Sequence, residues 1–140
     1  MGYTHYWDFK KKPADIENGK EKFKKAVEMF RNAYKHFNVP IANGIGKGEP
    51  VITDDTLCFN GVGKDGYETC CFSLDSQSDF CKTAKQPYDP VVCFAIRCFK
   101  EAFGDDFDFS SDGYLTKEEG WIKSKRLMTQ IKNDLPINLD

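Results

Sequence analysis

The residues whose types and spacing could do chemistry fall in three short runs. The first is Phe80-Cys81-Lys82-Thr83-Ala84-Lys85-Gln86-Pro87-Tyr88-Asp89-Pro90. Lys82, Thr83 and Lys85 stand just before a helix start in which Asp89 is expected as N-cap and Pro90 as the first helical residue, where a missing N–H costs nothing. The free N–H groups and partial positive charge of such a helix end, beside two lysines, suit a phosphate or carboxylate. Tyr88 adds a ring and a hydroxyl. The second run is Tyr3, His5, Tyr6 and Trp7, whose aromatic faces could stack on a base while the histidine supplies a hydrogen bond. The same residue types also serve ordinary sheet packing. The third is Ser110, Ser111 and Asp112 before Gly113, a hydroxyl and carboxylate that could face a ligand or close an Asx turn. No G-x-S-x-G elbow surrounds Ser111, and His5 would have to reach it from the far end of the chain, so no Ser-His-Asp hydrolase is read. No catalytic set is assigned.

Composition narrows the classes. The chain has 140 residues, 40% hydrophobic and 14% aromatic, with twelve Phe, which predicts a folded domain with its own core. A formal net charge of -2 argues against a dedicated duplex-DNA binder. No apolar run approaches the roughly 18 residues of a membrane span. The start, Met1 to Trp7, does not read as a signal peptide, so a cytoplasm is the expected compartment. Six cysteines, at 58, 70, 71, 81, 93 and 98, include no C-x-x-C pair, and only two histidines accompany them. Most are read as small buried hydrophobes, with no metal and no cofactor expected. Cys58, Cys70 and Cys81 are the set that folding could bring to one metal.

The elements that must position these runs follow from periodicity. Tyr3 to Phe9 alternates as a strand, with Tyr3, His5 and Trp7 on one face and Thr4, Tyr6 and Asp8 on the other. Phe23, Val27, Phe30, Tyr34 and Phe37 mark an amphipathic helix over about 16–37. Residues 38–50, rich in Gly and Pro, read as a connection, with one weak strand near 39–42. Strands over 55–60 and 67–74 flank Gly63-Lys64-Asp65-Gly66, a hairpin signal that pairs Leu57 and Phe59 with Cys70 and Phe72. Residues 75–88 read as a loop, and Glu68 as a half-buried, salt-bridged carboxylate. A helix apolar on nearly every side runs from Pro90 to Phe103, ended by Gly104. A short strand over 106–109 precedes Thr116-Lys117-Glu118-Glu119, a capping box that opens a last helix to about Lys132. The order β-α-β-β-β-α-β-α predicts an α+β fold, a two-layer sandwich with a mostly antiparallel or mixed sheet and about three helices. A single domain over 1–134 and a frayed tail over 135–140 are expected.

Met1-Gly2-Tyr3-Thr4-His5-Tyr6-Trp7, Phe80-Cys81-Lys82-Thr83-Ala84 with Pro87-Tyr88-Asp89, and Gly104-Asp105-Asp106 with Ser110-Ser111-Asp112-Gly113 resemble a family of small bacteriophage and prophage proteins. That family carries no assigned activity. The resemblance implies a phage accessory factor, a candidate inhibitor of host antiviral defence acting in the host cytoplasm. The residues point to capture of a small anionic, nucleotide-like ligand. The alternatives are a protein–protein inhibitor of a host defence effector, CRISPR or other, and a small nucleotide hydrolase using His5 with Asp112 or Glu68. Binding or inhibition ranks above catalysis, and an oligomer is compatible with either.

Overall fold

The computed structural model describes residues 2–140. Its elements are β1 (Thr4–Phe9), α1 (Gly19–Ala33), β2 (Ile41–Ala42), β3 (Val51–Ile52), β4 (Thr56–Gly61), β5 (Cys70–Ser73), β6 (Ser78–Lys82), α2 (Asp89–Phe103), β7 (Phe107–Ser111) and α3 (Glu119–Lys132). The fold is α+β, as the element order predicts. Its strands form two antiparallel sheets.

The first sheet runs β6-β1-β7, with the amino-terminal strand in the middle. His5 lies opposite Cys81 on one side and Ser111 on the other. Because strand side chains alternate, His5, Trp7 and Phe9 point inward while Tyr6 and Asp8 face solvent. The second sheet centres on β4. Leu57 pairs with Phe72 and Phe59 with Cys70 across β4–β5, the partners that the alternation predicts. A backbone bond from Glu68 N to Lys82 O joins the two sheets' neighbouring segments at 3.1 Å.

α2 occupies the middle of the molecule. Val91, Val92, Cys93, Phe94, Ala95, Ile96, Cys98 and Phe99 are fully buried, which is what a helix apolar all round requires. α1 and α3 pack along it. The sheets contribute a file of aromatic rings: Trp7 stacks on Phe72 at 4.5 Å between centroids, and Phe72 on Phe99 at 4.2 Å. Each fully buried Phe is worth about 1.5–3 kcal/mol of removal from water, so this file anchors sheet to helix.

Several local expectations are corrected. Residues 78–82 are a strand rather than part of a loop, because β1 has a free edge that Phe80 and its neighbours fill. The first helix ends at Ala33 and tightens into a 3-10 turn over Tyr34–Phe37. Asp89 does not cap α2, and Glu118 precedes α3 without a capping side-chain bond. Among the described residues Glu68 forms no ion pair; its Oε1 accepts the Lys82 N–H at 2.7 Å. The segment expected as a frayed tail is held along α3, where Gln130 bonds Asn138 in both directions at 2.8 and 3.0 Å.

Cys58 and Cys71 are register partners on β4 and β5 and form a disulfide, so these two cysteines are not the buried hydrophobes that the sequence suggests. Cys70, Cys81, Cys93 and Cys98 are free and buried. The disulfide closes a segment with a sequence separation of 13. Loop-closure entropy for a loop of that order corresponds to about 3 kcal/mol. Reducing the protein, or replacing Cys58→Ser, is expected to lower the unfolding free energy measured by urea denaturation by that order, with the midpoint falling accordingly; an unchanged midpoint would show that the crosslink adds nothing in solution.

Candidate functional site

The amino-terminal strand, the start of α2 and the end of β7 converge on one buried polar cluster. His5 is fully buried, and its Nε2 lies 2.7 Å from Asp89 Oδ1. Its Nδ1 lies 2.8 Å from Ser111 Oγ. Thr83 Oγ1 also donates to Asp89 Oδ1. Ser111 Oγ receives two further donors, the Gly113 N–H at 3.0 Å and the Trp121 indole N–H at 3.1 Å.

Counting donors fixes the protons. A hydroxyl oxygen has two lone pairs and one hydrogen. Ser111 accepts from Gly113 and Trp121, so its own O–H must go to His5 Nδ1. Nδ1 is then the acceptor, and the imidazole N–H sits on Nε2 and donates to Asp89. The chain of donation is Ser111 to His5 to Asp89, with Thr83 as the second donor to the carboxylate. Ser111 has no lone pair left to attack a substrate in this arrangement. The cluster holds backbone segments together more readily than it acts as a nucleophile.

Cys93, one turn along α2 from Asp89, completes the cluster. Its Sγ lies 3.6 Å from His5 Nε2 and 3.8 Å from Asp89 Oδ2. Burial pushes the thiol well above its ordinary pKa, and the Asp89 carboxylate adds to the rise. Cys93 is therefore a neutral thiol and not a resting nucleophile. The Tyr3 ring packs edge-on against His5 at 5.1 Å, and Trp121 does so at 5.0 Å. Burial, followed by the Asp89 charge, also raises the pKa of the Tyr3 hydroxyl. That hydroxyl is buried without a hydrogen-bond partner, the one side-chain polar atom so placed among the described residues.

A cleft of about 400 Å³ opens beside the cluster, lined by Tyr3, Lys85, Asp89, Glu118, Gly120 and Lys123 among others. The first turns of both α2 and α3 border it. α2 offers little to an anion there, because Pro90 has no N–H and Asp89 brings its own charge. The α3 end has no capping side chain. Lys85 Nζ stands 4.9 Å from the centre of the Tyr3 ring and 3.2 Å from Glu118; Lys123 pairs with Glu119 at 2.7 Å. Gly120 permits the close approach of α3: a Cβ there would come within 2.5 Å of Asp89 Oδ2.

The residues singled out in the sequence thus divide. Tyr3, His5, Thr83 and Ser111 meet at the cluster, and Lys85 stands over the cleft. Trp7 is in the core, stacked on Phe72. Tyr88 is fully buried, and its hydroxyl donates to Glu68 O. Tyr6 and Ser110 are register partners on the outer face of the sheet, away from the cluster. Lys82 stacks over Tyr67 at 5.5 Å. Asp112 accepts from Thr4 N at 3.0 Å and Tyr6 Oη at 3.4 Å, closing the sheet edge. Sequence reasoning missed Cys93 and Trp121, which read as core, and took Asp89 for a cap. The i, i+4 spacing of Asp89 and Cys93 was the available signal.

Comparison with protein families, with curated proteins and with solved structures finds no match for the chain.

Removing the imidazole would leave Asp89 charged, buried and short of its principal donor. His5→Ala is expected to cost about 2–4 kcal/mol, because the neutral imidazole's hydrogen bond to a charged carboxylate is lost and that buried carboxylate is left undersatisfied. Ser111→Ala should cost less, about 1–3 kcal/mol, because it strands the Trp121 and Gly113 donors rather than a charge. Urea denaturation checks both, and equal small effects would mean that water replaces the histidine.

Proposed function

We propose that this chain is an accessory protein of bacteriophage type that captures a small anionic, nucleotide-like ligand in the cleft above Tyr3, and so acts as a candidate inhibitor of host antiviral defence. The observation that carries the reading is the grouping of Lys85, Lys123 and the uncapped first turn of α3 around one aromatic face. A helix of this length presents free N–H groups and a partial positive charge at its start. The lysines are paired to Glu118 and Glu119, but exposed pairs of this kind are worth only about 0–1 kcal/mol. A phosphate can exchange for those carboxylates at little cost. The anion-binding helix end is therefore assigned to α3 rather than to α2, whose start is neutralised by Asp89. The resemblance to phage proteins supports the biological setting. Among the described residues, no helix is long and apolar enough to cross a membrane.

Isothermal titration against a panel of cyclic and linear nucleotides tests the reading. At least one should bind, and Lys85→Glu with Lys123→Glu should weaken it about tenfold or more while leaving the melting temperature in place. Silence across the panel would remove the proposal.

A second reading, inhibition through a protein contact, is favoured by one observation. Tyr6 and Phe80 lie side by side on the uncovered face of the β6-β1-β7 sheet, 42% and 55% exposed. Aromatic residues in such positions are common contact anchors. A host-lysate pull-down that yields a stoichiometric partner, lost on Tyr6→Ser with Phe80→Ser, would favour this reading over the first. The hydrolase alternative is the least supported, since His5 is fully buried and bonded to Ser111 and Asp89, Asp112 is engaged by Thr4 and Tyr6, and Glu68 by the Lys82 N–H.

A further inference from the structure

The polar cluster contains one arrangement that neither the ligand cleft nor the sheet contact uses. His5, Asp89 and Cys93 each offer a ligand atom, these atoms lie within 4.8 Å of one another, and all three residues are buried. We propose that His5 Nε2, one Asp89 carboxylate oxygen and Cys93 Sγ form a three-ligand site for a borderline divalent ion of the zinc type, with its fourth position open to the cleft.

Three observations support the assignment. The first is the spacing. Tetrahedral zinc with ordinary bond lengths sets its N–S and O–S edges at about 3.5 Å and its N–O edge at about 3.3 Å. The Nε2–Sγ and Oδ2–Sγ separations here are 3.6 and 3.8 Å. Nε2 lies 2.7 Å from the other carboxylate oxygen, Oδ1, so the Asp89 carboxylate must shift to present a single oxygen at ligand spacing to both partners. The second is the room left by Gly120. A side chain there would meet Asp89 Oδ2 at 2.5 Å and Cys93 Sγ at 3.1 Å, so the glycine leaves these two ligand atoms uncovered by a side chain, and Asp89 itself lines the cleft. The third is the orphan hydroxyl of Tyr3, a buried polar atom beside the cluster that the hydrogen-bond network leaves unpaired.

The protons balance as follows. In the resting cluster the imidazole N–H is on Nε2. A metal on Nε2 requires the neutral ring to carry its proton on Nδ1, so the bond to Ser111 reverses and Nδ1–H donates. The freed Ser111 O–H then turns to Tyr3 Oη, supplying its missing partner. The two lone pairs of Ser111 Oγ then take the Nδ1–H and one of the Gly113 and Trp121 N–H groups, so the other gives up its bond. Cys93 releases its thiol proton to solvent and binds as thiolate. Thr83 keeps its bond to the Asp89 carboxylate, and Ser111 holds the imidazole from behind, the supporting contacts that metal-bound histidines and carboxylates ordinarily have. Histidine, carboxylate and thiolate together with one open position match an open site and not a closed structural one. The proposal does not rest on the nucleotide reading.

The probe is Co2+ added to the reduced, metal-free protein. A thiolate-to-cobalt charge-transfer absorption is expected, saturating at about one ion per chain and displaced by Zn2+. Cys93→Ala should abolish it with the circular dichroism unchanged, whereas Cys98→Ala should retain it. No absorption from the wild-type protein, or absorption that survives Cys93→Ala, would overturn the proposal. X-ray absorption on the zinc-loaded wild-type protein decides the matter should Cys93→Ala fail to fold. One sulfur with an imidazole in the shell is expected; no sulfur, or two, would refute the site. Nucleotide titration with and without chelator separates the two proposals, since metal can bind whether or not any nucleotide does.

Discussion

A carboxylate taken into an apolar interior must be supplied with hydrogen-bond donors, or it becomes a heavy cost to the folded state. Asp89 is 5% exposed and sits at the start of the most buried helix in the molecule. Its donors come from elsewhere in the chain: His5 from the central strand of the first sheet, and Thr83 from the loop after β6. His5 is held in turn by Ser111 on β7, and Ser111 by Trp121 on α3. This one requirement ties β1, β7, α2 and α3 into a single frame. The aromatic file of Trp7, Phe72 and Phe99 supplies apolar attraction in this region, but it is not directional. The donor chain specifies how the sheet and helices are set against one another.

The same requirement shapes the surface. Because Asp89 turns inward to His5, the tip of α2 is not an anion site, and the cleft takes its positive character from α3 and the two lysines. Gly120 is what lets α3 come close enough for its first turn to border the cleft. The cleft and the buried cluster share a wall in Asp89 and Tyr3, so a change on one side is felt on the other. A ligand in the cleft would rest on a support whose side chains have little freedom, which favours a preformed site.

The second sheet is built differently. It has short strands and carries the Cys58–Cys71 crosslink at a register pair. Asn60 organises its turn, accepting from Gly61 N and Tyr67 N at 2.8 and 3.0 Å and donating to Tyr67 O at 2.9 Å. One amide side chain thereby satisfies the backbone of a turn whose glycines cannot bury apolar surface. Two modes of stabilisation coexist: a donor network at the helix-covered sheet, and a covalent link with a polar turn at the other.

Periodicity made the main elements legible. The alternation of Tyr3 to Phe9, the three- and four-residue spacing of Phe23, Val27 and Phe30, and the continuous apolar run after Pro90 each follow from local geometry. The pairing of Leu57 and Phe59 with Phe72 and Cys70 was readable because a turn signal sets the register of nearby strands. Strand β6 was not readable: Ser78, Asp79 and Lys82 break any apolar pattern around Phe80 and Cys81, and the segment is extended because β1 offers an unpaired edge. The cluster was legible only in its parts. His5, Thr83 and Ser111 stand out as polar residues in suggestive places, but their meeting depends on contacts across 84 to 106 residues of chain. Asp89 was expected to cap its own helix, the local solution for an aspartate before Pro90. The fold overrode that local preference, because a fully buried imidazole offered the carboxylate a stronger donor than a helix end in contact with water.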